Sequence, residues 1–407
     1  MTQSRLLSFF LVGSLAMAAN LNAVSGEPFH AGQLIEPLNK LHNHGSCVQA
    51  LPNGDVLACW YKGTGERTAD DVRIVGARLR KGKENWSPVF ELADFPGFPD
   101  CNACLSLDAE GKLWMFWPLI VANRWETAIL MARYSTDYLD PGPPKWAWQT
   151  PIILKPGEEF EKDSVAALED IEKSLSPEQQ QRYGEMIQQM KKAAGDKYAQ
   201  RMGWMPRARP TVLPSGRFLL PLYSDGFNFS IVAISDDHGA TWTASRPILS
   251  MAGVQPSIVQ KKDGTLVAYM RDNGPPPKRI IVSESGDNGS SWTRGADSEL
   301  LDSGAGVQAL VLQSGKWLVI HNDVERGRHS LAVHASEDDG ATWKWVRHLE
   351  KTDPEEGSFG YPSLHQDETG MIHGSYSYRK SADGEGGTIK YVRFNEEWVL
   401  AGDPGEG

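Results

Sequence analysis

Polar side chains that could perform acid–base and ion-pair chemistry recur at one distance before a turn glycine in this sequence. Nine or ten residues before Gly54, Gly111, Gly216, Gly264 and Gly370 stand, in order, His44, Asn102, Arg207, Gln255 and Tyr361. An imidazole or a phenol can carry a proton, and a guanidinium binds a carboxylate through two parallel hydrogen bonds. If a repeated fold brings these positions together, we expect a concave site with convergent polar groups.

The repeat that would position these residues is visible as three copies of one hairpin pattern. The copies read Ser-x-Asp-x-Gly-x-Thr/Ser-Trp and occupy 235–242, 285–292 and 336–343. In such a turn the Ser and Asp side chains bond local backbone, the glycine takes a positive φ, and the Trp packs between neighbouring sheets. Copies spaced about 50 residues apart indicate stacked or radially arranged units.

Six turn glycines give the number of units, because each precedes a run of branched and aromatic residues. They are the five glycines named above together with Gly315. Such runs suit strands buried between sheets. Six four-stranded units closing in a ring make an all-β, six-bladed β-propeller. In that ring the recurring polar residues lie near the axis on the face where the second strands end, which we call the top face.

One segment breaks the repeat between the second and third blades. Residues 157–203 are rich in helix formers, and Ser176, Pro177 and Gln179 match a capping box with proline at the first helical position. Because the connection between these blades emerges on the top face, we expect the helical insertion to form a lid or wall above Arg207.

Composition restricts the class of protein and its partners. Over 407 residues the net charge is −11 with no Lys/Arg tract, which argues against nucleic acid. Residues 1–26 have the pattern of a secretory signal peptide, with an apolar run too short to span a membrane. We therefore expect a secreted or periplasmic propeller over 27–407, with no membrane span and monomeric.

Four cysteines occur in the first third of the chain, at Cys47, Cys59, Cys101 and Cys104. An exported protein can form disulfides, but a metal site would need a second Cys/His pair at ligand spacing. The sequence therefore predicts neither a metal nor another cofactor.

The loops that leave the second strands gather arginines on the top face. Glu66 and Arg67 follow the first blade's second strand, Arg271 the fourth blade's and Arg328 the fifth blade's. Because planar guanidinium groups match carboxylates, an anionic sugar is the expected ligand of this rim.

The three hairpin copies are Asp boxes, and with the blade spacing they resemble the sialidase (neuraminidase) superfamily, in particular its divergent bacterial branch with BNR repeats. The resemblance implies a tyrosine nucleophile, three arginines on the substrate carboxylate and an aspartate acid/base, an exception to the two-carboxylate scheme of most glycosidases. The matching positions are Tyr361 for the nucleophile, Arg271 and Arg328 (or Arg326) for two arginines, and Asp71 (or Asp70) for the acid/base.

Two positions depart from the pattern of that superfamily. His44 stands where the first arginine belongs, and Gln255 where the glutamate partner of the nucleophile belongs. Arg207 is a replacement for the missing arginine. Because glutamine cannot accept a proton, Tyr361 would need His44 or an acid from another loop as its base.

These observations predict an exo-acting glycoside hydrolase of sialidase type that acts on a terminal acidic sugar. One alternative is a polysaccharide lyase, in which Arg and Asn side chains such as Asn102 neutralise a uronate while His44 and Tyr361 handle the proton. Another alternative is a propeller that binds glycans without catalysis. A reducing sugar, an unsaturated product or no product distinguishes the three.

Overall fold

The computed structural model describes residues 26–381 and 386–404, so the expected signal peptide lies outside the described residues except for its last position. The strands in chain order are β1 (His30–Leu34), β2 (His42–Ala50), β3 (Val56–Gly63), β4 (Arg73–Leu79), β5 (Phe90–Ala93), β6 (Cys104–Leu107), β7 (Leu113–Ile120), β8 (Ala128–Ser135), β9 (Trp148–Pro151), β10 (Met205–Pro206), β11 (Thr211–Val212), β12 (Phe218–Ser224), β13 (Phe229–Ser235), β14 (Thr243–Ala244), β15 (Gly253–Gln260), β16 (Leu266–Asp272), β17 (Arg279–Ser285), β18 (Ala296–Leu301), β19 (Gln308–Val311), β20 (Trp317–His321), β21 (Ser330–Ser336), β22 (Trp345–Lys351), β23 (Ser358–Gln366), β24 (Ile372–Arg379) and β25 (Thr388–Phe394). The helices are α1 (Glu159–Ser174), α2 (Pro177–Ala194), α3 (Lys197–Arg201) and α4 (Glu396–Leu400), with a 3₁₀ turn at Trp125–Thr127.

Within the described residues these strands form six antiparallel sheets that follow one another along the chain, which confirms the six-bladed propeller. Blades 1, 2, 4 and 5 comprise β2–β5, β6–β9, β15–β18 and β19–β22. In blade 3 the inner strand is split into β10 and β11, both paired with β12. Inner strands of neighbouring blades contact one another, and β2 contacts β23 to complete the ring.

Blade 6 joins the two ends of the described chain. Its strands are β23, β24 and β25, and its outer strand is β1, which pairs antiparallel with β25 from His30↔Phe394 to Leu34↔Lys390. This pairing connects residues more than 350 positions apart and holds the ring shut through backbone hydrogen bonds. No repeat in the sequence indicates β1.

The Asp boxes form the turns between third and fourth strands, as predicted. In the first box Ser235 Oγ donates to Asp237 Oδ1 and accepts from Gly239 N, both at 2.8 Å. Hydrogen bonds from the hydroxyl and backbone of Thr241 lower the pKa of Asp237 to about 2. Trp242 Nε1 donates to Gly239 O at 3.1 Å, which orients the indole toward the aromatic core of the preceding blade.

The helical insertion lies between blades 2 and 3, where the sequence predicts it. Ser176 and Gln179 form the expected capping box at the start of α2, with reciprocal hydrogen bonds of 3.2 and 2.9 Å. Phe160 of α1 packs on Phe227, with ring centroids 5.4 Å apart, and so attaches the insertion to blade 3. No helix in the described part of the chain is long and apolar enough to cross a membrane.

Candidate active site at the propeller axis

A kink in the first strands aims side chains at the axis. The register of β2, β15 and β23 shifts by one bulge at the same blade position. At that position Gly45, Asn102, Gln255 and Tyr361 all have positive φ, between 42° and 63°. Because a left-handed residue in a strand turns its neighbours, these bulges direct polar groups into the centre instead of into the sheet.

The exact repeat position in blade 1 is Gly45, nine residues before Gly54, and His44 is its neighbour. A Cβ at Gly45 would lie 2.7 Å from Cε1 of Tyr61, so only glycine fits beside that ring. The His44 imidazole still reaches the centre, where its ring lies edge-on to Tyr361 with centroids 4.4 Å apart.

Tyr361 is the group on which the charged side chains converge. Its hydroxyl accepts a hydrogen bond of 2.9 Å from Arg271 Nη1. The guanidinium carbons of Arg207 and Arg328 lie 5.0 and 4.9 Å from the centre of its ring. The tyrosine is 9% exposed, so these cation–π contacts are largely shielded from water.

Charge at this position favours the phenolate. Burial raises the pKa of Tyr361. The positive charges of Arg271 and Arg328 and a hydrogen bond from Gln255 lower it by more, so the pKa lies below the ordinary value for tyrosine. The cations therefore make the phenol easier to ionise, but they accept no proton and do not act as its base. Glutamine contributes as a hydrogen-bond donor and not as a proton acceptor.

A cavity of about 210 Å³ opens beside the tyrosine. Its charged and titratable lining consists of His42, His44, Glu66, Arg328, Tyr361 and Arg379. The guanidinium of Arg328 makes no hydrogen bond to any described residue, whereas Arg379 Nη2 lies 3.3 Å from His42 Nδ1. Two arginines thus face the cavity with donors available for an anion.

Arg207 packs against the ring of Tyr361, but both of its terminal nitrogens already donate to backbone carbonyls. Nη2 donates to the carbonyl of Tyr361, and Nη1 lies 3.4 Å from the carbonyl of Ser46. These bonds tie blade 3 to blades 6 and 1 beneath the kinks. The observed contacts support the backbone of Tyr361; the predicted role of Arg207 in binding substrate stays a prediction.

The predicted partner residues Asn102 and Gln255 lie on either side of a tyrosine that the sequence analysis did not select. Asn102 Nδ2 donates to the Tyr223 hydroxyl at 3.2 Å. Gln255 is 2% exposed, and its Oε1 has no hydrogen-bond partner among the described residues. A Cβ on Gly306 would lie 3.4 Å from that oxygen, so the glycine leaves space beside it.

The site contains more unpaired polar atoms than a structural core would tolerate. Buried atoms that lack a partner among the described residues, and that belong to lining residues or their direct contacts, are His42 Nε2, Arg67 Nε, Arg207 Nε, Gln255 Oε1, Arg271 Nε and Asn322 Oδ1. Such a cluster fits a pocket that a polar ligand fills.

The acids of the first blade's loop divide into two roles. Tyr61 donates a 2.6 Å hydrogen bond to Glu66, whose carboxylate lines the cavity. Asp71 instead accepts from the backbone and hydroxyl of Thr64, at 3.0 and 2.9 Å, and braces the loop. Arg67 lies 4.0 Å from Glu66 and stacks over an indole at the rim. The predicted acid/base role of Asp71 stays a prediction.

Histidine in the cavity is held neutral. Burial, followed by the charges of Arg328, His42, Arg207 and Arg379, keeps the pKa of His44 well below its ordinary value. His44 is therefore uncharged near neutral pH and does not reproduce the cation that it replaces.

A second repeat position marks residues in and around the site, of which the sequence analysis selected only Arg271. Seven residues after the turn glycines of blades 1, 3, 4, 5 and 6 stand Tyr61, Tyr223, Arg271, Asn322 and Ser377. These residues lie near the site because this position is at or near the end of each blade's second strand, beside the kink of the first strand. Counting forward as well as backward from each glycine would have identified them.

The helical insertion is at the rim and not over the cavity. None of its residues lines the axial cavity. Together with rim loops of blades 3 and 4, α1 and α2 line a separate groove. Of the two forms that we expected for the helical insertion, the structure favours a wall at the rim and contradicts a lid above Arg207.

Comparison with known proteins agrees with this architecture. Residues 198–373 match the family described as a BNR repeat-like domain. The NanB sialidase of Streptococcus pneumoniae has a similar fold, with a TM-score of 0.65 and 12% identity over 90% of this chain and 71% of that one. The chain is a six-bladed β-propeller that carries a BNR repeat-like domain.

Two further structures have a fold similar to that of this propeller. The intramolecular trans-sialidase of Ruminococcus gnavus has a TM-score of 0.63 and 13% identity over 88% of this chain and 95% of that one. A protein of unknown function from Dyadobacter fermentans has a TM-score of 0.65 and 15% identity over 89% and 97%. Identities this low show the fold alone. None of the curated proteins matches the sequence.

The four cysteines of the propeller lie inside the protein as free thiols. Cys47 and Cys59 face each other across β2 and β3, and Cys47 Sγ accepts a hydrogen bond from Leu105 N at 3.3 Å. They pack below the site and contribute no atom to the cavity.

Proposed function

We propose that this chain is an exo-acting glycoside hydrolase that removes a terminal acidic sugar from a glycan. One observation carries the proposal: the hydroxyl of Tyr361 is held by Arg271 at the wall of a small cavity, among cations that lower the pKa of the phenol. A tyrosine in this state is a nucleophile whose negative charge is balanced by the site.

The sugar's carboxylate binds to three arginines that converge on this cavity. Arg271 and Arg328 flank Tyr361 from two sides, and Arg379 lines the same cavity from the end of β24. Arg379, and not Arg207, supplies the cation that His44 lacks, because Arg379 lines the cavity whereas both terminal nitrogens of Arg207 donate to backbone carbonyls. Bidentate guanidinium contacts fix the orientation of the ring.

The reaction proceeds in two displacements. Tyr361 gives its phenolic proton to the neutral imidazole of His44, and its Oη forms a bond to the anomeric carbon as the bond from that carbon to the leaving oxygen breaks; protonated Glu66 gives its proton to this leaving oxygen. Water then attacks the anomeric carbon and passes a proton to Glu66, and Tyr361 leaves and takes its own proton back from His44. We assign the proton transfers to Glu66 because its carboxylate lines the cavity, whereas Asp71 is bound to Thr64.

Purified chain is incubated with a panel of glycans that end in acidic sugars, and the released reducing sugar is measured. We expect Glu66→Gln to lower kcat by at least about 10²-fold, the usual contribution of a general acid. Asp71→Asn is the matched control and should cost less than tenfold. A loss confined to Asp71→Asn would reverse the two roles, and no release from any acidic glycan would refute the hydrolase.

A second function, elimination from a uronate-containing glycan, is favoured by one contact. The neutral imidazole of His44 lies against Tyr361, so a base and a phenolic acid are adjacent, with arginines available to neutralise a carboxylate. This reaction yields an unsaturated product that absorbs in the ultraviolet. If this unsaturated product forms, and the products have not gained the elements of water, the enzyme is a lyase and not a hydrolase.

Export belongs to the same proposal and rests on residues 1–26. Expression of the full sequence in a bacterial host should give a mature protein that begins near position 27, in the periplasm or the medium. N-terminal sequencing of the exported protein tests this, and retention of the intact leader in the cytoplasm would contradict it.

A further inference from the structure

A groove of about 460 Å³ lies between the helical insertion and the top-face loops of blades 3 and 4. One wall carries Tyr183 and Met186 from α2, and the other carries Met251. Its floor includes Asn228 and Asn273. This volume is within the range of about 300–1,000 Å³ that small-ligand sites occupy.

The groove is connected to the reacting tyrosine through one arginine. Arg271 Nη1 donates to Tyr361 Oη at 2.9 Å, and Nη2 of the same side chain donates to Asn273 Oδ1 at 3.0 Å. Asn273 Nδ2 continues the chain to Asn228 Oδ1 at 2.7 Å. The groove therefore begins where the axial site ends, on the side of Arg271.

The lining combines apolar surface with polar groups that have no protein partner. Met186 and Met251 are 44% and 40% exposed, although each faces the groove. Neither Asn228 Nδ2 nor the carboxylate of Asp225 makes a hydrogen bond to another described residue. Apolar faces and free amide or carboxylate groups in one cleft suit a sugar ring, which has C–H faces and hydroxyl edges.

Charge in the groove is mixed. Asp225 contributes one negative charge, and Arg182 and Lys278 contribute two positive ones. Lys278 lies 3.4 Å from the Asp272 carbonyl, and Arg182 stacks on Tyr183. No pair of arginines converges here as in the axial cavity, so the groove suits a neutral ligand better than an anion.

We propose that this groove is a subsite for the neutral sugars on the leaving-group side of the bond that is cleaved. The inference rests on the proposed function, because an exo-acting enzyme holds the terminal sugar in its cavity and the rest of the glycan must leave past the rim. The helical insertion builds one wall, so this insertion sets which glycans are accepted.

Binding is tested first without catalysis. Lactose, a neutral disaccharide, is titrated against the wild-type chain and followed by saturation-transfer-difference NMR. We expect binding that weakens about tenfold in Tyr183→Ala, the effect of losing one aromatic contact. Tyr198→Ala is the matched control, because Tyr198 is an exposed tyrosine of α3, outside the groove. Met251→Ala repeats the test on the loop wall if the helix variant does not fold.

Kinetics separate the subsite from the axial chemistry. Tyr183→Ala should lower kcat/KM about tenfold for an acidic sugar linked to lactose, and less than twofold for the same sugar as its glycosyl fluoride, whose leaving group is one atom. If Tyr183→Ala loses lactose binding while the wild-type chain hydrolyses neither substrate, the subsite is supported and the hydrolase is refuted. Hydrolysis with no lactose binding and equal activity in all variants overturns the subsite alone.

Discussion

Replacing Tyr361 with phenylalanine separates chemistry from structure at the axis. The change removes one hydroxyl and leaves the ring between Arg207 and Arg328. The lost oxygen accepts the 2.9 Å hydrogen bond from Arg271. Because a hydrogen bond to a charged group contributes about 1.5–3 kcal/mol and Arg271 keeps Asn273 as a partner, the free energy of unfolding should fall by at most about 2 kcal/mol.

The effect of Tyr361→Phe on catalysis should be much larger. Without the phenolic oxygen no covalent intermediate forms, and only binding and positioning remain. We expect kcat/KM to fall by at least about 10³-fold, which corresponds to about 4 kcal/mol of transition-state stabilisation. Reducing-sugar release at several substrate concentrations measures the fall, and urea unfolding measures the stability.

Tyr223→Phe is the matched control for this experiment. Tyr223 is also buried in the site, but its hydroxyl accepts its hydrogen bond from the Asn102 amide and not from an arginine. We expect Tyr223→Phe to change kcat/KM by less than about tenfold, because it removes one neutral hydrogen bond. Equal activity of Tyr361→Phe and wild type, with both variants folded, would show that the converging cations serve structure and that the assigned nucleophile is wrong.

Three further changes test the electrostatics and the fold. Arg271→Gln removes the cation with the largest lowering effect on Tyr361, so the pKa of the phenol should rise, as seen by ultraviolet difference titration, and activity should need higher pH. Burial lowers the pKa of His321 to about 4, below its value in the unfolded chain, so the stability that the neutral histidine contributes is lost as the pH drops from about 6.5 to 4. The wild-type free energy of unfolding should therefore fall between pH 7.5 and pH 4.5, and in His321→Gln this fall, measured by urea unfolding, should be smaller by on the order of 2 kcal/mol. Gly340→Ala would force an Asp-box glycine at φ 82° against a tyrosine hydroxyl of the neighbouring blade. It should cost at least about 2 kcal/mol more than Gly315→Ala, where φ is 85° but the new Cβ would meet only Lys262 Cε, at an ordinary contact distance of 3.8 Å.

The architecture was predictable because its signals are local. Each Asp box encodes its own hydrogen bonds and positive φ within eight residues, so three copies about 50 residues apart identify the blade period. The capping box at Ser176 identifies the start of α2 for the same reason. Local chemistry of this kind does not depend on which residues meet across the fold.

The candidate site was predictable only in part. Counting back from each turn glycine identified the axial side chains, but in blade 1 the count of ten selected His44 where the equivalent residue is Gly45. The same count could not show that the donors of Arg207 are used by carbonyls of Ser46 and Tyr361, since those acceptors belong to other blades. Arg379 was recognisable as a rim residue, but not as a wall of the cavity.

The sequence by itself determined the six blades, the position of the helical insertion and the polar residues that recur before the turn glycines, because period and turn chemistry are properties of short segments. The tertiary structure alone decided which arginines keep free donors, that Glu66 and not Asp71 reaches the cavity, and that β1 completes blade 6. These outcomes depend on distances between residues up to more than 350 positions apart. Such distances follow from closure of the ring and not from any local pattern.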